Sequence, residues 1–215
     1  MSTSVTQETS FGGLIIGFDE RVLEPRQWTT GQARWAAELL RHAPPGPVLE
    51  LCAGVGHIGL LAVAFHPRDL VMVDADETAC DFARRNVEAN KPACRVDVRQ
   101  GLVDQAVRPH ERFAGIIADP PWVSTREVGR FPEDPVTAID GGPDGLTVAR
   151  SCIDVIGRHL SEYGWALLQL GTTRQADAVR DHVDGSPTLD LEVAEVRTYG
   201  DRGVVLQLNR PSYGD

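Results

Sequence analysis

The four residues 119–122, Asp-Pro-Pro-Trp, are the part of the sequence whose types are best suited to chemistry. They follow the apolar run 113–118, which predicts a buried strand. Two successive prolines stiffen the turn and remove two backbone donors. Carbonyl oxygens, the Asp119 carboxylate and the Trp122 ring remain, and together they suit a planar NH₂ group held for an in-line transfer. The same residues also fit a rigid strand-ending turn with a core tryptophan.

A second group of candidate residues surrounds the glycines at 54, 56 and 59. The apolar run 48–52 precedes these glycines, and apolar residues at helical spacing follow them, which predicts strand, tight turn and helix. Glycine lets the backbone turn sharply and lets a ligand approach closely. The Gly-x-Gly-x-x-Gly pattern alone fits dinucleotide sites and many ordinary turns.

Two carboxylates near this turn favour one ligand. Glu50 lies inside the first strand, and Asp74 ends the apolar run 71–74, twenty positions after Gly54. A carboxylate repels a pyrophosphate but attracts an ammonium group, and an acid at the tip of the second strand can hold both ribose hydroxyls. These features predict S-adenosylmethionine rather than a nicotinamide dinucleotide. The structural alternative is that Glu50 is a salt-bridged strand acid and Asp74 a helix cap.

The composition restricts the class of protein. The chain has 215 residues, 42% hydrophobic and 24% charged, which suits a single globular domain. The formal net charge of −10 argues against long contacts with a phosphate backbone but leaves room for a small basic patch. The four cysteines have no Cys-x-x-Cys spacing, so we expect no metal site. Because neither a signal peptide nor a long apolar run is present, we expect a cytoplasmic protein without a membrane span.

Strands alternating with helices predict an α/β fold, with a mostly parallel seven-stranded sheet, helices on both faces and an antiparallel C-terminal strand pair. We expect residues 1–21 to form a flexible N-terminal segment and short cap, and residues 22–210 to form one domain. Within the cap, residues 1–10 are expected to be disordered, and residues 11–18 to pair with 21–23. Further expectations are a helix capped by Thr29 or Thr30, a helix capped by Asp76, a helix-like segment at 104–112, a long connection at 123–145, an amphipathic helix from Leu146, a strand at 165–170 and closing strands at 189–198 and 203–209.

Taken together, these motifs resemble class I methyltransferases that modify planar amines, which carry Asn/Asp-Pro-Pro-aromatic after the fourth strand. The chain is most similar to the protein-glutamine methyltransferases that modify peptide-chain release factors, over roughly residues 23–208. The matching positions are Pro25-Arg26 with Thr29, the glycine strand 50–56, Asp74 with Asn86 or Asn90, and the Asp-Gly-Gly-x-Asp-Gly-Leu run 140–146.

The resemblance implies a Rossmann-like enzyme that transfers a methyl group from S-adenosylmethionine to a planar amide or amine, such as a protein glutamine. It assigns catalysis to residues 119–122, namely Asp119, Pro120, Pro121 and Trp122. It assigns cofactor binding to Thr29, Glu50, Cys52, Ala53, Gly54, Val55, Gly56, Asp74, Ala75, Leu102 and Asp119.

Some positions depart from the family pattern. The glutamine-modifying enzymes usually have Asn-Pro-Pro-Tyr, whereas Asp119 and Trp122 resemble the tetrad of some adenine amino-methyltransferases. Gly101 replaces an acid near the adenine, so Leu102 is expected to hold the adenine by apolar contact. Only about twenty residues precede the matched region, where the family carries a helical domain. The acceptor therefore stays open among a protein glutamine, an adenine-type amine and a small metabolite, with nucleic acid disfavoured by charge. A non-catalytic binding module of the same fold is the alternative class.

Overall fold

The computed structural model describes residues 5–200 and 202–211, and it is built around a seven-stranded sheet. Two further strands form a separate N-terminal hairpin. The strands are β1 (Gln7–Phe11), β2 (Leu14–Phe18), β3 (Val48–Leu51), β4 (Leu70–Asp74), β5 (Val96–Gln100), β6 (Phe113–Ala118), β7 (Leu160–Leu170), β8 (Glu192–Thr198) and β9 (Val204–Asn209). The helices are α1 (Thr30–Leu40), α2 (His57–Phe65), α3 (Glu77–Asn90), α4 (Val136–Ile139), α5 (Thr147–His159) and α6 (Thr173–Asp184).

The sheet has the strand order β5-β4-β3-β6-β7-β9-β8. Strands β3 to β7 pair in parallel, and β9 runs antiparallel between β7 and β8. The predicted mostly parallel sheet with an antiparallel C-terminal pair is therefore confirmed. The order along the sheet reverses between β3 and β6, and ligands of open α/β sheets bind at the carboxyl ends of the strands beside such a reversal.

Both faces of the sheet are covered, because each face carries its own apolar core. Helices α1, α2 and α3 and the N-terminal hairpin pack on one face, and α5 and α6 pack on the other. Strands β3 and β6 have only buried residues, as expected for central strands covered on both sides. This arrangement fixes the carboxyl ends of β3, β4 and β6 as one rigid edge.

The N-terminal segment differs from expectation. Residues 1–4 of the segment expected to be disordered lie outside the described residues, but residues 7–11 form β1. The hairpin joins β1 to β2 and does not involve residues 21–23. Its turn is made by Gly12 and Gly13, with φ of 59° and 102°, and two positive-φ residues are what a tight two-residue hairpin turn requires.

The start of α1 also differs in detail. Neither Thr29 nor Thr30 accepts a hydrogen bond as an N-cap. Instead their hydroxyl groups donate to the carbonyl oxygens of Arg26 and Gln27, at 2.8 and 2.7 Å, within a 3₁₀ turn at Gln27–Thr29. The preceding turn therefore satisfies these hydroxyl groups before the helix begins. By contrast, Asp76 caps α3 as predicted, accepting from the Ala79 N–H at 3.0 Å.

Two further segments differ from the sequence expectation. Residues 104–112 form turns rather than a helix, and Glu111 accepts from both the Arg108 N–H and the Arg99 guanidinium there. Strand β7 begins at Leu160, five residues earlier than expected, and passes through Tyr163 with a φ of 60°. The register of β7 against β6 shifts at this point, so the strand contains an irregularity that alternation alone does not predict.

Candidate active site

Three segments meet at the reversal point between β3 and β6. The Ala53 N–H donates to the Val73 carbonyl at 3.1 Å, which ties the turn after β3 to the end of β4. The Asp119 N–H approaches the Leu51 carbonyl at 3.4 Å, which places the residue after β6 beside the same turn. The structure thus brings together the glycine turn, Asp74 and the Asp-Pro-Pro-Trp segment, which lie far apart in the sequence.

The glycine turn has an unusual backbone. Cys52, Gly54 and Gly56 all have positive φ, of 55°, 53° and 80°. A Cβ on Gly54 would meet no heavy atom within 4 Å, so the backbone there is open to a ligand. Gly56 directly precedes α2, and Val55 is buried beneath the turn. The sequence therefore needs glycine at 54 and 56 for conformation.

Asp74 lies beside this turn and bonds to its backbone. Its Oδ2 accepts from the Gly54 N–H at 2.7 Å, and its Oδ1 accepts from the Asp76 N–H at 2.9 Å. Each carboxylate oxygen has a second acceptor position, so the group can still accept from two hydroxyl groups. Burial raises the pKa of Asp74 above its ordinary value, and these backbone donors oppose the shift.

The segment after β5 forms a further side of the candidate site. The Gly101 N–H donates to the Asp74 carbonyl at 2.8 Å, which brings Leu102 next to the end of β4 and Ala75. Leu102 is 54% exposed although it is a large apolar residue. An exposed leucine beside a carboxylate is suited to covering one face of a flat apolar group.

Glu50 lies beneath the glycine turn and is almost fully buried, with 2% exposed. Its Oε1 accepts from the Gly59 N–H at 2.9 Å, whereas its Oε2 is buried without a hydrogen-bond partner. A Cβ on Gly59 would collide with this carboxylate, which explains the third glycine. Burial raises the pKa of Glu50 to about 8, and the charges of Asp119 and Asp74 add to the shift. A buried acid with an unpaired oxygen is a favourable place for a cation.

Asp119 directly follows β6 and lines a cleft whose other acids are Glu133 and Asp134. No side chain or backbone group of the described residues forms a hydrogen bond with its carboxylate oxygens. Burial raises the pKa of Asp119 to about 7. The group is therefore an unused acceptor at a half-buried position.

The cleft that contains Asp119 has a volume of about 410 Å³. Aromatic side chains, Trp28, Trp122 and Phe131, contribute to its lining. Arg26 and Asp134 both line the cleft, and the Arg26 Nη2 atom lies 2.5 Å from Asp134 Oδ1. This ion pair joins the segment before α1 to the 123–145 connection. The long connection is thus the second wall of the cleft.

Trp122 is held in place by several residues, some of which the sequence analysis did not identify. A side chain at Gly171 would collide with the Trp122 ring. The Gln175 side-chain amide donates to the Trp122 carbonyl at 2.8 Å, and its Oε1 accepts from the Gly171 N–H at 3.1 Å. A Cβ on Gly145 would collide with the same carbonyl, which gives the predicted 140–146 run a packing role. The sequence analysis identified that run through the family pattern, whereas it gave no signal for Gly171 or Gln175.

The remaining predicted residue, Thr29, is buried. Its hydroxyl group donates to the Arg26 carbonyl and lies 3.4 Å from the His57 Nε2 atom, at the start of α2. His57 packs edge-on against Phe11 with 4.8 Å between ring centroids, and burial lowers its pKa to about 3, so the imidazole is neutral. These contacts connect Thr29 through His57 to the start of α2, which follows the glycine turn.

Asn86 of α3 fixes the N-terminal hairpin to the site. Its side-chain amide donates to the carbonyls of Val55 and Gly17, at 2.9 and 3.1 Å, and its Oδ1 accepts from the Gly17 N–H at 2.7 Å. One turn later, Asn90 pairs with Ile15 in the same way, at 2.8 and 3.2 Å. The hairpin therefore supports the back of the glycine turn.

Within residues 5–200 and 202–211 there is no helix long and apolar enough to cross a membrane. The same residues contain no group of three or more His, Cys, Asp or Glu side chains arranged to hold a metal ion.

The strand order, the glycine turn and the acid at the end of β4 define the class I methyltransferase fold. Residues 33–132, which include the glycine turn, Asp74 and the Asp-Pro-Pro-Trp segment, match the family model described as the methyltransferase small domain. A methyltransferase from Pyrococcus furiosus superimposes with a TM-score of 0.64 at 19% identity, covering 91% of this chain and 88% of that one.

Among curated proteins, the chain is similar to glutamine methyltransferases, as the resemblance predicted. It is 29% identical over 180 residues to the ribosomal protein uL3 glutamine methyltransferase of Bordetella pertussis, covering 79% of this chain and 59% of the relative. It is 28% identical over 196 residues to the release factor glutamine methyltransferase of Mycobacterium leprae, covering 85% and 62%. The chain thus spans about three fifths of the length of the curated relatives it matches.

Proposed function

We propose that this chain is an S-adenosylmethionine-dependent N-methyltransferase that acts on a planar primary amide, the side chain of a protein glutamine. The unpartnered Asp119 carboxylate, set between the glycine turn and an aromatic-lined cleft, is the observation that carries the proposal. Similarity to enzymes named for uL3 and release factor glutamine methylation supports this acceptor. We expect the protein to act on an acceptor of either kind in the cytoplasm.

The residues around the glycine turn fit the proposed methyl donor. Glu50 offers a buried, unpaired Oε2 to its ammonium group, and Asp74 has free acceptor positions for its ribose hydroxyls. Leu102 offers an apolar surface to the adenine, and the open backbone at Gly54 lets the ligand approach. When bound, the donor supplies an electrophilic methyl group on a positively charged sulfur. We also assign binding of the methyl donor to the neighbouring residues Cys52, Ala53, Val55, Gly56 and Ala75, and a more remote part in that binding to Thr29.

The residues around Asp119 fit the proposed acceptor. An ionised carboxylate only accepts hydrogen bonds, so Asp119 can orient a donor NH₂ group. The rigid Pro120–Pro121 turn fixes the position of this carboxylate, and Trp122 limits the plane in which a flat group can lie. The carboxylate also stabilises positive charge that grows on the nitrogen as its new bond forms, which lowers the barrier more than it strengthens ground-state binding.

An adenine-type exocyclic amine is the second candidate acceptor. It is favoured by the residue types Asp119 and Trp122, which stand where the glutamine-modifying enzymes usually have Asn and Tyr. Both acceptors present a planar NH₂ group, so the same arrangement can hold either. We also propose that residues 22–210 form the methyltransferase domain, with residues 7–18 acting as a docked hairpin rather than a flexible cap.

Transfer of a labelled methyl group tests the proposal. The protein would be incubated with methyl-labelled S-adenosylmethionine and, in parallel, with purified uL3, a release factor and a single-stranded adenine-rich oligonucleotide. We expect label on a glutamine side chain, located by mass spectrometry, and label incorporated roughly a hundredfold more slowly, or not at all, by the Asp119→Ala variant. Label on adenine alone would replace the glutamine with the second candidate. No transfer to any acceptor by a protein that does not bind the donor would favour a non-catalytic binding module.

A further inference from the structure

A second concave surface lies at the opposite edge of the sheet, among the amino ends of β3, β4, β5 and β6. It has a volume of about 780 Å³, larger than the cleft beside Asp119. We call it the arginine cleft, because its lining includes Arg68, Arg95, Arg99, Arg108 and Arg112. None of the residues assigned to the methyl-transfer site lines it, so it needs a separate explanation.

The sequence places these arginines together in a simple way. Arg68 lies two residues before β4, and Arg95 and Arg112 each directly precede a strand, β5 and β6. Because parallel strands align their amino ends, residues at these positions line up along one edge of the sheet. Neighbouring strands lie about 4.8 Å apart, so the row from β5 to β6 spans roughly 14 Å.

The acids in the arginine cleft leave part of its charge uncompensated. The lining contains five arginines but only three acids, Asp69, Asp97 and Glu111, in a chain whose formal net charge is −10. Two of these acids are paired with Arg99. Both Arg99 Nη atoms lie 2.8 Å from Glu111 oxygens, and the Arg99 Nε atom lies 2.8 Å from Asp97 Oδ2. Arg99 and Glu111 therefore form a hydrogen-bonded ion pair whose charges compensate each other. The Arg99 guanidinium lowers the pKa of Glu111 to about 2.

Two cations of the cleft have no carboxylate within ion-pair distance among the described residues, and these are Arg68 and Arg112. The Arg112 guanidinium donates to the carbonyls of Pro109 and Glu111, at 3.1 and 2.8 Å. Carbonyl oxygens orient the guanidinium but do not neutralise it. The Arg108 side chain is 64% exposed, and its Nη1 atom lies 3.8 Å from Oε1 of Glu111, which is already paired with Arg99. Arg95 pairs with Asp69 in a solvent-exposed position, where ion pairs are weak.

We propose that the arginine cleft binds a phosphate-bearing anion. Guanidinium groups recognise phosphate oxygens through paired hydrogen bonds, and several of them in a concave surface concentrate positive potential. A soluble polyphosphate and an RNA backbone present this same chemistry. The arginine cleft lies at the amino ends of the strands, whereas the proposed methyl-transfer site lies at their carboxyl ends.

Binding of two probes tests the proposal and distinguishes the sources. Tripolyphosphate would be titrated by calorimetry, and a fluorescent single-stranded RNA of twelve nucleotides would be followed by anisotropy at several salt concentrations. The test variant is Arg68→Gln/Arg112→Gln. The matched control is Arg158→Gln/Arg180→Gln, which removes the same charge from exposed positions on α5 and α6.

We expect at least one probe to bind the wild-type protein, and the test variant to bind it at least about tenfold more weakly, as loss of two charge-assisted contacts requires. The control should keep the wild-type affinity, and both variants should bind S-adenosylmethionine like the wild type. If tripolyphosphate does not displace the bound RNA, the ligand of the cleft is a nucleic-acid backbone. If tripolyphosphate displaces the RNA, the ligand is a compact polyphosphate. The proposal is wrong if neither probe binds at about millimolar concentration, or if the control loses as much affinity as the test variant.

Discussion

The buried carboxylate of Glu50 gives the cofactor site a pH dependence that can be measured. In the free protein its pKa is raised to about 8, so at pH 7 most molecules carry a protonated Glu50. A cofactor ammonium group favours the ionised form, so binding should release a proton. If only the ionised form binds, the dissociation constant should fall roughly 25-fold between pH 6 and pH 7.5, because the competent fraction rises by that factor. The cofactor's own α-amino group titrates near about 7.7–8.0, so this window stays below it.

Glu50→Gln is the informative variant, because it keeps the side-chain size and an acceptor for the Gly59 N–H. At pH 7.5 we expect it to weaken cofactor binding by roughly ten- to a hundredfold, the scale of a hydrogen bond to a charged group. Its dissociation constant should also lose most of the pH dependence seen in the wild type. Glu88→Gln, on the exposed face of α3, is the matched control and should keep both the affinity and the pH dependence.

The same variant should change how stability depends on pH. The folded-state pKa of Glu50, about 8, lies above the unfolded value of about 4.3, so this group favours folding fully only below the unfolded pKa. Its stabilisation is lost progressively as the pH rises towards the folded pKa, by at most about 1.4 kcal/mol per pH unit. Relative to Glu50→Gln, the wild type should therefore become less stable between pH 5 and pH 7.5 in urea titrations. For the cofactor, titration calorimetry in buffers of different ionisation enthalpy measures how many protons are released on binding. Equal pH dependence of affinity in wild type and Glu50→Gln would refute the ammonium assignment.

Three further variants test the surroundings of the site. Asp74→Ala should raise the cofactor dissociation constant at least tenfold, since it removes the ribose acceptor and the partner of the Gly54 N–H, and calorimetry showing an unchanged constant would contradict the ribose assignment. Asn86→Ala should lower the free energy of unfolding by about 1–3 kcal/mol, because it leaves buried backbone groups of the hairpin and glycine turn unpaired, and urea denaturation would measure it. Arg26→Gln should raise the acceptor KM more than it lowers kcat, since the ion pair with Asp134 joins the two walls of the acceptor cleft; steady-state kinetics showing a loss in kcat alone would argue against that role.

The sequence was sufficient for the parts of the fold that local patterns encode. The apolar runs ending in Cys52, Asp74 and Ala118 predicted three strands of the sheet, and the Asp76 cap and the amphipathic pattern from Leu146 predicted two helices. These features depend on neighbours within a few residues. The glycine spacing also identified the turn, because a positive φ is a local requirement.

Other features depend on contacts between distant segments, and the sequence did not predict them. The hairpin was assigned to the wrong strands although Gly12-Gly13 is a local signal for its turn. Its docking, by contrast, depends on Asn86, nearly seventy residues away. Gln175 supports the Trp122 carbonyl across 53 positions, and no local pattern distinguishes it from an ordinary surface glutamine. The raised pKa of Glu50 likewise depends on burial, which the sequence suggests but does not measure.

Turnover of Asp119 variants tests the central proposal most directly. With the labelled donor and the accepted protein substrate, Asp119→Ala should lower kcat by roughly a hundredfold or more, the scale for loss of a preorganised polar partner, and should change donor affinity much less. Asp119→Asn should keep appreciable activity if the acceptor is a glutamine amide, because its oxygen still accepts from an NH₂ group. A folded Asp119→Ala protein that binds the donor and turns over at the wild-type rate would contradict the proposed active site.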